Sequence, residues 1–258
     1  MVEWINQLPA FMLVTIRILA FFTTMPIFSY RNIPTIYKIG LAIYLAWIMI
    51  FTLDQPYIQM DSMFFLLIFK EVLVGLMVGL IAMIILYAIQ VAGGFIDMMM
   101  GFMIANVVDP QTGAQTPLTG GYLYTFAILL LVVVDAHHLL LDGIYYSYQF
   151  IPIDQLTLPF GEEAVVHYVL TTFTTMFIIA FQMAFPIVGT LFLVDVALGM
   201  VSRAVPQMNV FVVGMPLKIL VGLLLLMVTM PVFIMLIERL FGTILETMRT
   251  FMQLLGGL

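Results

Sequence analysis

The chain has 258 residues, of which 64% are hydrophobic and 9% charged, with a net charge of −6 and no cysteine. A soluble domain carries roughly 45–50% apolar and about 25% charged residues, so this composition describes an integral membrane protein. It excludes disulfides, thiol catalysis and cysteine-based metal sites, and without a basic run it offers nothing to a nucleic acid.

The first residues, "MVEWINQLPAF", have no basic n-region and no small-residue cleavage site, so they are not read as a cleaved signal peptide. Six apolar segments follow, near residues 8–28, 39–53, 64–89, 122–134, 168–194 and 219–237, all predicted as helices because the runs are long and do not alternate. An all-α membrane protein is the expected fold class. Two segments are short for a bilayer core of about 30 Å: at about 1.5 Å per residue, 122–134 reaches about 20 Å and 39–53 about 22 Å. Others carry charge. Arg17 lies mid-segment, Lys70 and Glu71 interrupt the third, Asp97 lies beyond it, and Asp195, Lys218 and Glu238 flank the last two. An ionisable group at membrane depth is costly unless paired or hydrated. These helices are therefore expected to face protein or a wet cavity as much as lipid.

The basic loops give no consistent sidedness. Arg31 with Lys38 and Arg203 with Lys218 fall on one side of a six-span arrangement, and Arg239 and Arg249 on the other. That conflict argues for helical hairpins that do not each cross the bilayer. Gly75 and Gly79 form a GxxxG, which lets two helix backbones approach. Pro186, Pro216 and Pro231 are expected to kink or start helices. Beyond Ile237, apolar residues recur at helical spacing through Leu255 with Glu238, Arg239, Glu246, Arg249 and Gln253 on the other face. This tail reads as an amphipathic helix on a membrane surface or a partner.

No catalytic constellation is present. Asp135 with His138 stands at i, i+3 and His138 with Asp142 at i, i+4, but a structural metal site wants four ligands. Neither a metal nor a cofactor is expected, and the polar residues read as the hydrated end of a helix. The polar stretch "NVVDPQTGAQTPLTGG", residues 106–121, is the anomaly. It sits directly behind Met98, Met99, Met100 and Met103. Methionine is deformable, so such a cluster suits a compliant hydrophobic seal. Pro110, Pro117, Gly113, Gly120 and Gly121 keep the loop irregular, and irregular backbone at membrane depth is tolerated where it lines a cavity.

Three segments together resemble FliR, the export-gate subunit of the bacterial flagellar type III secretion system. One is "SRAVPQMNVFVVGMPLKILVGL", carrying Arg203, Pro206, Gln207, Asn209, Phe211, Gly214 and Pro216. The second is "QVAGGFIDMMMGFMIANVVDPQTG", and the third "RNIPTIYK" behind Pro26. The resemblance covers essentially the whole chain; Asp135, in "DAHHLLL", departs from the Gly-His-His usual in the family. It implies a FliP-like helical part over residues 1–160 fused to a FliQ-like hairpin over 161–258. It implies assembly with FliP-like and FliQ-like subunits, with an FlhB-like subunit at the entrance, into a closed conduit for unfolded proteins in the bacterial cytoplasmic membrane. Carried onto this chain, Asn106, Val107, Val108, Asp109, Pro110, Gln111, Thr112, Gly113, Pro117 and Leu118 form the pore plug. The segment around Arg203–Pro216 becomes an assembly interface. The homologous injectisome subunit is the alternative. A secondary transporter pooling Arg17, Lys70, Glu71 and Asp97 into a coupling-ion site is a further reading, against which the sequence offers no inverted repeat.

Overall fold

The structure is a computed structural model that describes residues 2–29, 33–53, 58, 60–103, 117–156, 158–159, 161–207 and 209–257, with side chains from Gln7 onward. Its described elements are helices: α1 (Val2–Thr24), α2 (Thr35–Ile50), α3 (Ser62–Met100), α4 (Leu118–Val133), α5 (Ala136–Phe150), α6 (Glu163–Ala204) and α7 (Val210–Gly256). Among the described residues, four are long and apolar enough to cross a membrane, and α4 with α5 forms a bent pair that passes the same test jointly. The chain is an all-helical membrane protein. The plug residues from Asn106 to Gly113, and Arg31, lie outside the described residues.

The helices are longer than the apolar runs. α3 has 39 residues, α6 has 42 and α7 has 47; α7 alone extends about 70 Å at 1.5 Å per residue, more than twice the hydrocarbon thickness. α3 continues past the apolar run that stops near Ile89, through Gln90, Gly93, Gly94 and Asp97 to Met100. Pro216 does not start a helix: it lies inside α7, as Pro231 does, and Pro186 lies inside α6.

The chain divides into two compact units. The first comprises residues 1–85, 134–173 and 241–258, and the second 86–133 and 174–240. In the first, α2 packs on α1 through a stripe of Ala42, Ala46, Met49 and Ile50, with Phe11 edge-on to Trp47 at 6.2 Å. The GxxxG brings α3 against α1: a Cβ on Gly75 would strike the carbonyl of Arg17, and one on Gly79 the hydroxyl of Thr24. The α7 tail lies on neither membrane nor partner along its apolar side. Phe241, Ile244, Met248, Phe251, Met252 and Leu255 are buried within this unit. The cause is α5, a helix absent from the apolar runs. Gly143 of α5 meets Met248, Gly256 meets the backbone of Phe150, and Tyr168 of α6 bonds the carbonyl of Thr247. In the second unit, α3 meets α4 and the α6–α7 hairpin.

Candidate functional site

In the first unit, Arg17, Lys70 and Glu71 form one buried cluster. Arg17 and Glu71 are fully enclosed and Lys70 almost so. Gly75, one turn beyond Glu71, removes the side chain that would hold α1 away. The Arg17 guanidinium forks onto the Glu71 carboxylate through Nε and through Nη2, the latter at 2.9 Å, the bidentate geometry that makes such pairs strong. Its Nη1 donates to Ser147 Oγ at 3.0 Å and Nη2 also to the Ile151 carbonyl at 3.0 Å. The Tyr148 ring lies 3.8 Å beneath its central carbon, a cation–π contact. Lys70 pairs with Glu71 and donates to the carbonyls of Pro152 and Ile153, each at 2.9 Å. Two cations thus share one carboxylate. The remaining charge is balanced by three carbonyls that follow the last turn of α5, where a helix presents its negative end. This is a clamp that ties the end of α5 to α1 and α3, with the buried Tyr148 hydroxyl left without a partner among the described residues.

Asp97 does not join it. In the second unit it is fully buried, and both its oxygens accept the Thr119 N–H, at 3.0 and 3.2 Å. It therefore caps the first turn of α4 from another helix. Its backbone carbonyl accepts from the N–H groups of Gly101 and Phe102. Gly101, at φ 88°, closes α3 in the left-handed conformation that glycine adopts without penalty. Four residues before Asp97, a Cβ on Gly93 would strike the backbone of Gly120, and one on Gly120 would lie 2.7 Å from the Gln90 carbonyl. α3 and the first turn of α4 thus meet at backbone contact.

The methionines separate. Met98 and Met103 are 63% and 52% exposed, with Met99 partly so. The first two line a cavity of about 390 Å³ with Tyr87, Gln90, Phe95 and Pro117. Met100 is fully buried instead; a Cβ on Gly222 of α7 would lie 2.7 Å from its Cγ. Sequence spacing carried no sign of Gly222, Thr119, Ser147 or the carbonyls of residues 151–153 as partners.

Residues 8–244 match the family model described as bacterial export proteins, family 1. The chain belongs to that family. It is 53% identical over 253 residues to the flagellar biosynthetic protein FliR of Bacillus subtilis (strain 168), covering 98% of each chain. It is 28% identical to the FliR of Escherichia coli (strain K12), over 94% of this chain and 92% of that one. The Yop proteins translocation protein T of Yersinia pestis is 33% identical over 68% of this chain and 67% of its own.

In this export-family chain the segment between α6 and α7 is a turn in the second unit. Arg203 occupies the last turn of α6, and Pro206 and Gln207 are exposed. Asn209 does not reach across helices with its carbonyl. Its Oδ1 accepts the N–H groups of Phe211 and Val212 at 3.1 and 3.4 Å, capping α7. Gly214 gives Leu198 room, since a Cβ there would lie 3.0 Å from Leu198 Cδ1. One turn further, Lys218 pairs with Asp195 at 2.8 Å, joining the two arms. Phe211 is 66% exposed. At the start of α5, ligand atoms of Asp135, His137 and His138 lie within 4.8 Å of one another, without Asp142. Three donors from one turn, two of them exposed, fall short of a four-ligand structural site.

Proposed function

We propose that this chain is the FliR-type, non-enzymatic subunit of a flagellar export gate in the bacterial cytoplasmic membrane. The observation that carries the reading is 53% identity over 98% of both chains to a flagellar biosynthetic protein. The injectisome relative matches over two thirds, which favours the flagellar machine. The subunit assembles with FliP-like and FliQ-like neighbours, with an FlhB-like subunit at the entrance, around a conduit for unfolded proteins. Residues 1–160 form the FliP-like part and 161–258 the FliQ-like hairpin.

Surface chemistry favours such neighbours. In the most apolar 18-residue window of α7 only 11% of residues are buried, and in that of α6 28%. Leu223, Leu224, Met227 and Val228 are among the exposed residues of α7. Lipid or homologous helices would cover them. In this reading residues 106–118 plug the closed conduit, and Asp97 holds the first turn of the helix that follows them. Arg17, Lys70 and Glu71 serve the scaffold. Their pairing with one another and with backbone carbonyls disfavours a coupling-ion site, which needs ligands it can exchange.

The test is the assembled complex. Deleting Gln111 to Gln115 removes little apolar burial, so assembly should persist while ion conductance in planar bilayers rises. A cysteine pair joining the loop to a neighbouring subunit should block export when oxidised and release it when reduced. The chain has no native cysteine to interfere. Unchanged export through the cross-linked complex removes the plug assignment.

A further inference from the structure

We propose that Asp97 is a positioning residue of the closed gate: its buried carboxylate staples the first turn of α4 to the last turn of α3, and the closed state depends on that staple. The established family relationship does not assign this residue a role, and the proposal rests on the plug reading for its functional consequence. The bond itself does not.

A fully buried carboxylate at membrane depth normally pairs with a cation. Among the described residues Asp97 has no ion pair. What faces it is the start of α4, where unpaired N–H groups and the positive end of the helix favour an anion. The Thr119 N–H reaches both oxygens. The carboxylate therefore depends on α4 as much as α4 depends on it: separating the two would leave a buried charge without compensation and an orphaned helix terminus together. The backbone makes the same junction tight. Gly93 and Gly120 allow α3 and α4 to touch with no side chain between them. The Asp97 carbonyl also ends α3 by accepting from Gly101 and Phe102. One residue thus closes one helix with its backbone and opens the next with its side chain. The frame this creates lies beside the described ends of the loop, and Met98, Met103 and Pro117 line the same cavity. A gate held shut through such a frame should leak when the staple is cut, even though its helices remain assembled.

The experiment uses the assembled complex carrying Asp97→Ala, Asp97→Asn, Thr119→Pro, the Asp97→Ala/Thr119→Pro double, or the deletion of Gln111 to Gln115. Proline removes the donor, and in a first helical turn it is otherwise tolerated. Amide hydrogen exchange at Gly120 and Gly121 reads the bond, and planar-bilayer conductance reads the closed state. Loss of a charge-assisted bond should speed exchange about tenfold or more in Asp97→Ala. Asp97→Asn, which keeps one accepting oxygen, should fall between it and the wild type. Asp97→Ala and Thr119→Pro should both conduct, and the double should conduct no more than Asp97→Ala, since the proline removes only part of the set of bonds to the start of α4 that Asp97→Ala removes whole. Exchange unchanged from the wild type overturns the staple. Faster exchange with wild-type conductance, while the deletion conducts, overturns the positioning role and leaves the plug reading standing. If neither variants nor deletion conduct, the plug reading falls and this role with it. Failure of all three single variants to assemble makes Asp97 architectural, which also overturns the proposal.

Discussion

Replacing Glu71 by Gln should be among the most damaging single substitutions in the first unit. The carboxylate accepts two Arg17 donors and pairs with Lys70. Gln preserves volume and one oxygen but removes the charge and turns an NH₂ group toward two cations. Arg17 is fully enclosed and Lys70 is 3% exposed, so water cannot take over. Breaking a buried pair costs about 3–5 kcal/mol, and two stranded cations place this site at the upper end. A domain's whole stability is about 5–15 kcal/mol. Since about 1.4 kcal/mol is a factor of ten, the folded population should shift by about two to three and a half powers of ten. The control is Asp195→Asn. That pair is 41% exposed at the carboxylate and 18% at Lys218, and solvent-exposed pairs are worth about 0–1 kcal/mol. Complex yield from co-expressed membranes and the thermal midpoint of what survives give the readout. Equal midpoints for Glu71→Gln and Asp195→Asn would refute the reasoning. A second arm separates stability from function. Arg17→Met with Glu71→Leu and Lys70→Met removes all three charges, so yield should recover much of the loss. If it recovers but export does not, the cluster does more than hold α5.

The methionines should respond by position. On the seal proposal Met98→Ala and Met103→Ala should raise conductance of the assembled complex, because exposed deformable bulk is lost, while Met100→Ala should cost about 2–5 kcal/mol of stability at the Gly222 contact and lower the thermal midpoint; conductance unchanged in the first two would make them packing alone. At the α6–α7 turn, Asn209→Leu should lower complex yield through loss of a cap worth about 1 kcal/mol. Gln207→Leu should lower yield through a neighbouring subunit, since its side chain is exposed in this chain; normal assembly with failed export would show that the turn acts in transit and not in assembly.

The class, the long apolar helices and the close approach at Gly75 and Gly79 were legible in sequence, because each follows from a property of the residues themselves. Helix ends were not. The apolar run stops near Ile89 because Gln90, Gly93, Gly94 and Asp97 are polar or small, yet α3 runs on through them because Gly120 and Thr119 receive them. α5 escaped notice because its buried stripe, Ala136, Leu140, Ile144 and Tyr148, is only four residues deep and is interleaved with tyrosines, Asp142 and Gln149. With α5 missing, the apolar face of the α7 tail had no visible partner and was assigned to a membrane or another protein.

The charge cluster divides the same way. Lys70 and Glu71 are adjacent in sequence and look self-sufficient, which leaves Arg17 as an isolated cation in an apolar helix. Adjacent helical positions do not face each other, so the carboxylate had to be directed by a third group, and the fork from Arg17 does that. Counting charge then leaves one cation over. In water it would be solvated; at this depth it must meet oxygen. The oxygens are the carbonyls of Ile151, Pro152 and Ile153, and a backbone carbonyl has no signature, since every residue carries one. What selects these three is that they follow the last turn of α5, where the helix no longer continues to supply N–H donors. A sequence can therefore reveal that a buried cation needs acceptors, but only the position of a helix terminus says which ones, and that terminus belonged to the helix hardest to see.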